Sequence, residues 1–349
     1  MSNRYRPVGW TRSKILYDAV LLGAVWLYIT AYMAWGPALQ RVTQPLDGAR
    51  LGMQAYGSCA LLLLTFALCI GPLARLDPRF LPLLYNRRHL GVITFAVALG
   101  HAIQVLGWYF AFSPTAPLVG LLGADTAFGR LHGFPFIPLG IAALLILAVL
   151  AATSHDFWLT FLTPPLWKAL HMGIYAAYAL VVAHVGLGAL QDARNPVLGI
   201  VLGLCIALVS GLHLLAAARE RRDQAAAPEA GGWIDAGPLS AIPDGRAVTI
   251  RPPGGEPVAI FRDGARLAAV GAHCAHQNGP LGEGRVIDGC IVCPWHGYQY
   301  RLEDGCSPPP YTERVPTYRL RLEGGRVLLD PRGNPPGTRV EPLAIPEGA

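Results

Sequence analysis

The sequence predicts two architectures in one chain, an all-α bundle of six membrane helices followed by a small all-β domain. Three observations lead there. The composition is 53% hydrophobic with only 14% charged residues, which is too oily for a purely soluble protein. The apolar residues concentrate between Ile15 and Ala217, whereas the remainder is rich in Gly, Pro, Arg and Asp. Beyond that boundary, short β-branched runs alternate with turn dipeptides. The chain therefore divides into a transmembrane domain over 1–217, a linker over 218–232, a β domain over 233–330 and a flexible tail over 331–349.

Six stretches, about 15–35, 54–74, 89–112, 134–153, 166–190 and 196–217, approach the ~20 apolar residues that a helical span needs. An even number puts both ends on one side. Arg4, Arg6, Arg12 and Lys14 precede the first span, Arg75, Arg79, Arg87 and Arg88 follow the second, Lys168 opens the fifth, and Arg219, Arg221 and Arg222 follow the sixth. By the positive-inside rule both termini and the β domain face the cytoplasm. The first run is as long as a full span and lacks a small-residue cleavage site, so the reading expects a retained helix rather than a signal peptide. The net charge of +6 sits at helix ends, which predicts contact with lipid and no nucleic-acid partner. Of the seven cysteines, Cys59, Cys69 and Cys205 lie in apolar spans as small hydrophobes, which excludes a disulfide framework.

Histidine in hydrocarbon is costly unless hydrogen-bonded or ligated. Two spans carry two each: His89 and His101 on the third, His171 and His184 on the fifth. The helical rise separates the pairs in depth by about 18 and 20 Å. That match is what two stacked b-type haems require, with His89 and His171 as axial ligands of an inner haem and His101 and His184 of an outer one. On a straight helix, however, twelve residues turn His89 about 120° from His101. His132, His155 and His213 read as satisfied or solvated imidazoles, with His213 in reserve for His89. Asp18 reads as a solvated carboxylate at the inner end of the first span. Arg87, Arg88 and Lys168 suit haem propionates or headgroups equally.

The stretches RRHLGVITFAVALGHAI and ATSHDFWLTFLTPPLWKALHMGIYAAYALVVAH resemble the ferric reductase-like transmembrane domain, a family that includes ferric reductases, NADPH oxidases and the haem membrane subunit of a periplasmic methionine sulfoxide reductase system. The resemblance spans about 15–217 and matches His101, His171 and His184 to family haem positions; several relatives carry an apolar residue where His89 stands. It implies a bacterial inner-membrane oxidoreductase.

After the Ala/Gly/Pro-rich linker come Cys274-Ala275-His276 and Cys293-Pro294-Trp295-His296. Zinc also takes two Cys and two His, but a cluster with two thiolates on one iron and two imidazoles on the other needs one of each per loop, and C-x-H followed by C-x-x-H supplies that. CAHQNGPLGEG and CPWHGYQYRLEDG resemble the loops of a Rieske domain holding a 2Fe-2S cluster. Gly279 and Trp295 occupy the positions where high-potential members carry a disulfide, and Tyr298 stands in place of their serine donor. The resemblance is therefore to the lower-potential ferredoxins of aromatic dioxygenase systems. His273, Cys290 and Cys306 read as packing or surface residues.

These readings combine into an expected function. A cytoplasmic reductase or ferredoxin reduces the cluster, and electrons pass to haem b and on to a periplasmic-side acceptor such as ferric iron, quinone, oxygen or a redox enzyme. Quinol-linked flow in the opposite direction, and a redox sensor without turnover, are the alternatives. No strand followed by G-x-G-x-x-G opens a helix, so no flavin or nicotinamide domain is expected.

Overall fold

The computed structural model describes the chain except residues 1–11, 40–47, 81–82, 85, 111–112, 124–127, 132, 155–157, 159–161, 163, 192–195, 226–231, 277–278, 295–296, 310 and 347–349. The chain divides into two units, Met1–Ala216 and Ala217–Ala349.

Apolar runs fold into α1 (Arg12–Leu39), α2 (Gly48–Leu76), α3 (Arg87–Phe110), α4 (Pro117–Gly123), α5 (Ile137–Ala152), α6 (Pro164–His171), α7 (Gly173–Leu187) and α8 (Val197–Ala225), with Pro37 and Pro72 inside the first two near their C-terminal ends. Among the described residues, five segments are long and apolar enough to cross a membrane: Lys14–Ala38, Arg50–Leu76, Arg87–Gly107, Leu166–Leu187 and Val197–Arg222. The expected fourth span is the shorter α5, whose 16 residues reach about 24 Å. Met172 joins α6 to α7 with helical φ −64° and ψ −17°, so the fifth span changes its hydrogen bonding there without turning away. Inside the bundle α2 packs along α3 and α5 along α7. Leu61, Leu64, Leu68, Tyr178, Leu202 and Val209 form its dry centre, while many large side chains of α1 and α8 face outward.

The second unit is built from short antiparallel strands: β1 (Ile234–Pro238), β2 (Ala247–Ile250), β3 (Val258–Asp263), β4 (Arg266–Gly271), β5 (Arg285–Ile287), β6 (Cys290–Val292), β7 (Gln299–Arg301), β8 (Thr317–Tyr318), β9 (Leu320–Glu323), β10 (Arg326–Leu329) and β11 (Leu343–Ala344). They form sheets ordered β1-β10-β9, β11-β4-β3-β2 with β8 also on β4, and β5-β6-β7. Asp288 and Gly289 turn β5 into β6 with φ of 52° and 73°, the left-handed pair that a tight hairpin needs. Phe261, Leu281, Ile291 and Tyr300 are fully buried in one core that also contains Cys274 and Cys293.

Two boundaries differ from expectation. Helix α8 continues past 217 to Ala225, because eight of the nine residues in AARERRDQA are good helix formers, and only 226–231 of the expected linker lies outside the described residues. The expected flexible tail is folded back through 346. Leu343 pairs with Leu267, the Ile345 amide donates to the Ala265 carbonyl at 2.8 Å, and Leu343 and Ile345 pack on a second apolar core. The Pro and Gly content signalled disorder, but two spaced apolar residues and an available sheet edge outweigh it.

Candidate redox centres

In the β unit the two motif loops are closed by their own backbone. The Cys274 amide donates to the Gly279 carbonyl and the Cys293 amide to that of Tyr298, both at 2.8 Å. Gly297 returns a hydrogen bond to the Cys293 carbonyl at 3.0 Å from a left-handed φ of 70°, where a side chain would be strained. Cys274, Cys293 and His276 are buried residues, at 1%, 2% and 6% exposure. His296 and its neighbour Trp295 lie outside the described residues.

Two tyrosines complete the site. Tyr298 stacks on His276 at 4.1 Å and 12°, and its hydroxyl donates to Glu313 Oε1 at 3.1 Å. Tyr300 places its hydroxyl 3.2 Å from the Cys274 sulfur, where a thiolate accepts the O–H. Burial, reinforced by Glu313 at Tyr298 and by Cys274 at Tyr300, raises both phenols, so each remains a donor. Tyr298 stands where a serine donor to a bridging sulfur is missing from the sequence, and the Tyr300 hydroxyl approaches a different sulfur, that of Cys274. Its cue was a tyrosine between half-buried Gln299 and Arg301, an alternation that turns it inward. Two buried thiols and a stacked imidazole on neighbouring loops are a donor set that fits a 2Fe-2S cluster.

In the membrane unit His101 and His184 meet. Their ring centroids are 6.3 Å apart with planes at 81°. Two metal–imidazole bonds of about 2 Å, plus the distance from each nitrogen to its ring centre, add up to roughly that spacing. Both rings are oriented alike. His101 Nδ1 lies 2.8 Å from the Met53 carbonyl and His184 Nδ1 2.9 Å from that of Phe136, so each Nδ1–H donates to backbone and leaves Nε2 for a metal. Glycines make room: a Cβ on Gly57 would stand 2.9 Å from His101 Nδ1, and one on Gly140 2.8 Å from His184 Cε1. These residues fit a bis-histidine haem.

The expected inner pair does not meet in the same way. His89 points to α1, where both carboxylate oxygens of Asp18 lie 2.8 Å from its Nδ1. Asp18 is thus paired rather than solvated as expected. His171 stacks on Trp167 at 3.9 Å, has its Nε2 3.2 Å from the Thr153 hydroxyl, and feels the charges of Arg88 and Arg87. Arg88 also lies over the Trp167 ring. His213 receives the Tyr175 hydroxyl at 2.9 Å and bonds the Val209 carbonyl, as a satisfied imidazole does. His132 and His155 lie outside the described residues.

A membrane helical unit with facing histidines and a β unit with buried Cys and His in paired loops define a multi-pass membrane oxidoreductase with an iron–sulfur domain. The ferric reductase-like transmembrane component profile matches residues 55–182 and the Rieske [2Fe-2S] domain profile residues 232–319. The chain belongs to the ferric reductase-like transmembrane family and carries a Rieske domain on its C-terminal side. It is 30% identical over 193 residues to the protein-methionine-sulfoxide reductase heme-binding subunit of Caulobacter vibrioides, covering 54% of this chain and 84% of that protein. It is 38% identical over 78 residues to the anthranilate 1,2-dioxygenase ferredoxin subunit of Burkholderia cepacia, covering 22% and 72%. Against the oxygenase component of 3-ketosteroid-9-alpha-monooxygenase from Rhodococcus rhodochrous it is 32% identical over 133 residues, 35% of this chain, and spans only about a third (33%) of that relative's length. Both matched domains belong to redox families.

Proposed function

We propose that this protein carries electrons from a cytoplasmic reductase or ferredoxin, through a Rieske cluster, to b-type haem in the bundle and on to an acceptor on the periplasmic side. Cys274, His276, Cys293 and His296 hold the cluster; His101 and His184 hold the outer haem, and His171 serves the inner level. When bound, these groups supply one-electron redox chemistry. The chain's own residues orient and insulate them. The Met53 and Phe136 carbonyls fix the two imidazoles in one tautomer, and the Tyr300 hydroxyl stabilises negative charge on sulfur.

The observation that carries the reading is the 6.3 Å approach of His101 to His184 with both Nδ1 atoms held by backbone. The inward orientation of the Rieske domain and of both termini rests on the basic residues at the second and sixth span ends. Ferric iron, quinone or a periplasmic redox enzyme all suit the outer end. The deciding experiment is a haem and iron assay on purified protein, followed by stopped-flow spectroscopy after addition of a reduced cytoplasmic ferredoxin. Cluster reduction followed by a shift of the Soret band is expected. Haem that stays oxidised while the cluster reduces would count against this direction, and zinc in place of iron would end the proposal.

A further inference from the structure

We infer that His89 is a docking residue rather than a haem ligand: its imidazole and the Asp18 carboxylate form a polar clip that holds α1 against α3. Three observations converge. Helix α3 is unbroken from Arg87 to Phe110, so the phase between its residues is fixed. Twelve residues turn His89 about 120° away from His101, whereas the fourteen that separate Arg87 from His101 bring Arg87 back to within about 40° of it. Of the two, only Arg87 thus shares the His101 side of α3, while His89 meets Asp18.

The second observation concerns what α1 needs. No residue of α1 from Ile15 to Trp35 is fully buried, and the family match begins at residue 55, beyond the end of the helix at Leu39. Lipid tails are as apolar as leucine, so no hydrophobic drive holds a helix to the bundle, and van der Waals packing and interhelical hydrogen bonds must do so. Third, α1 has a second polar contact of the same kind. The Tyr28 hydroxyl donates to Ser58 Oγ on α2 at 2.9 Å, near the middle of α1, while the Asp18–His89 clip holds its inner end. At 18% and 26% side-chain exposure the clip is largely withdrawn from its surroundings. An N–H donated to a carboxylate there is stronger than a neutral bond, and an Asp18 carboxylate that lost it would be a charge in a poorly solvated place.

The inference rests on the reading that the bundle carries haem, and the test separates the two. Full-length protein is purified with His89→Gln, with Asp18→Asn, with both, and with the exchange Asp18→His plus His89→Asp. The haem-to-protein ratio is read by pyridine haemochrome, and thermal loss of structure by circular dichroism. His89→Gln is expected to keep the wild-type haem ratio. Each single variant should lower the unfolding temperature, the double variant should fall no further than the worse single, and the exchange should recover most of the loss. A haem ratio that falls in both His89→Gln and the exchange would overturn the inference, as would additive losses. Should His89→Gln fail to accumulate, the exchange decides, since it keeps the pair without an imidazole at position 89. A wild type with no Soret band would sink the haem reading alone, and the unfolding data would still judge the clip.

Discussion

The two halves of this molecule build their donor sets in opposite ways. The Rieske loops take Cys274 and His276 from one short segment and Cys293 from another, and close each loop with its own backbone. The membrane site joins His101 to His184 and orients each ring through a carbonyl 48 positions away. A β loop can be self-sufficient because its turns leave backbone amides and carbonyls to spare. A helix bonds its own amides and carbonyls to one another, so each imidazole reaches across to the second lone pair of a carbonyl on a neighbouring helix or at its start.

That contrast sets the order of expected effects. Cys274→Ser or Cys293→Ser should abolish the 2Fe-2S EPR signal while the haem spectrum remains, since each loop lies wholly within one unit; loss of both signals would break the independence. His101→Ala or His184→Ala should each remove the low-spin haem of the pair, read as a lower haem-to-protein ratio, because neither ring alone supplies both axial positions. Gly57→Ala and Gly140→Ala place a methyl at the 2.9 and 2.8 Å positions beside the ligands and should cost about 1–3 kcal/mol through overpacking, seen as a lower temperature of haem release. The Rieske domain has a finer adjustment. Tyr300→Phe removes a donor from the Cys274 sulfur and should lower the cluster midpoint potential on the order of tens of millivolts in a redox titration, with cluster content unchanged.

The smallest effect is acid sensitivity of the β unit. The Arg332 guanidinium holds the Asp330 carboxyl below the usual carboxylate range through paired hydrogen bonds of 2.9 and 3.0 Å. A lowered folded value means that this stabilisation is present above the unfolded value of about 3.9 and is lost as pH falls through the folded one. Asp330→Asn should therefore flatten the acid limb of stability below about pH 4, measured by near-UV circular dichroism.

How much of this was legible follows from the same contrast. Contiguous motifs announce their chemistry, so Cys274, His276 and Cys293 were readable as neighbours, and the apolar runs gave the helices. Met53 and Phe136 contribute only carbonyls, which every residue has, so nothing in their side chains marks them. Asp18 lies 71 positions from His89, and only the packing of α1 on α3 brings them together. Helical phase already placed His89 off the His101 face, yet matching depths suggested a ligand. The Tyr300 contact lay hidden in strand alternation, and the folded-back residues beyond 330 were obscured by their composition.

That last segment protects the domain from its own kind. Strand β4 lies at the middle of its sheet only because β8 and β11 pair along the side that β3 leaves open. A protein cut after residue 330 would present part of that side as a bare template for a second copy, and light scattering should find it self-associating where the full chain does not.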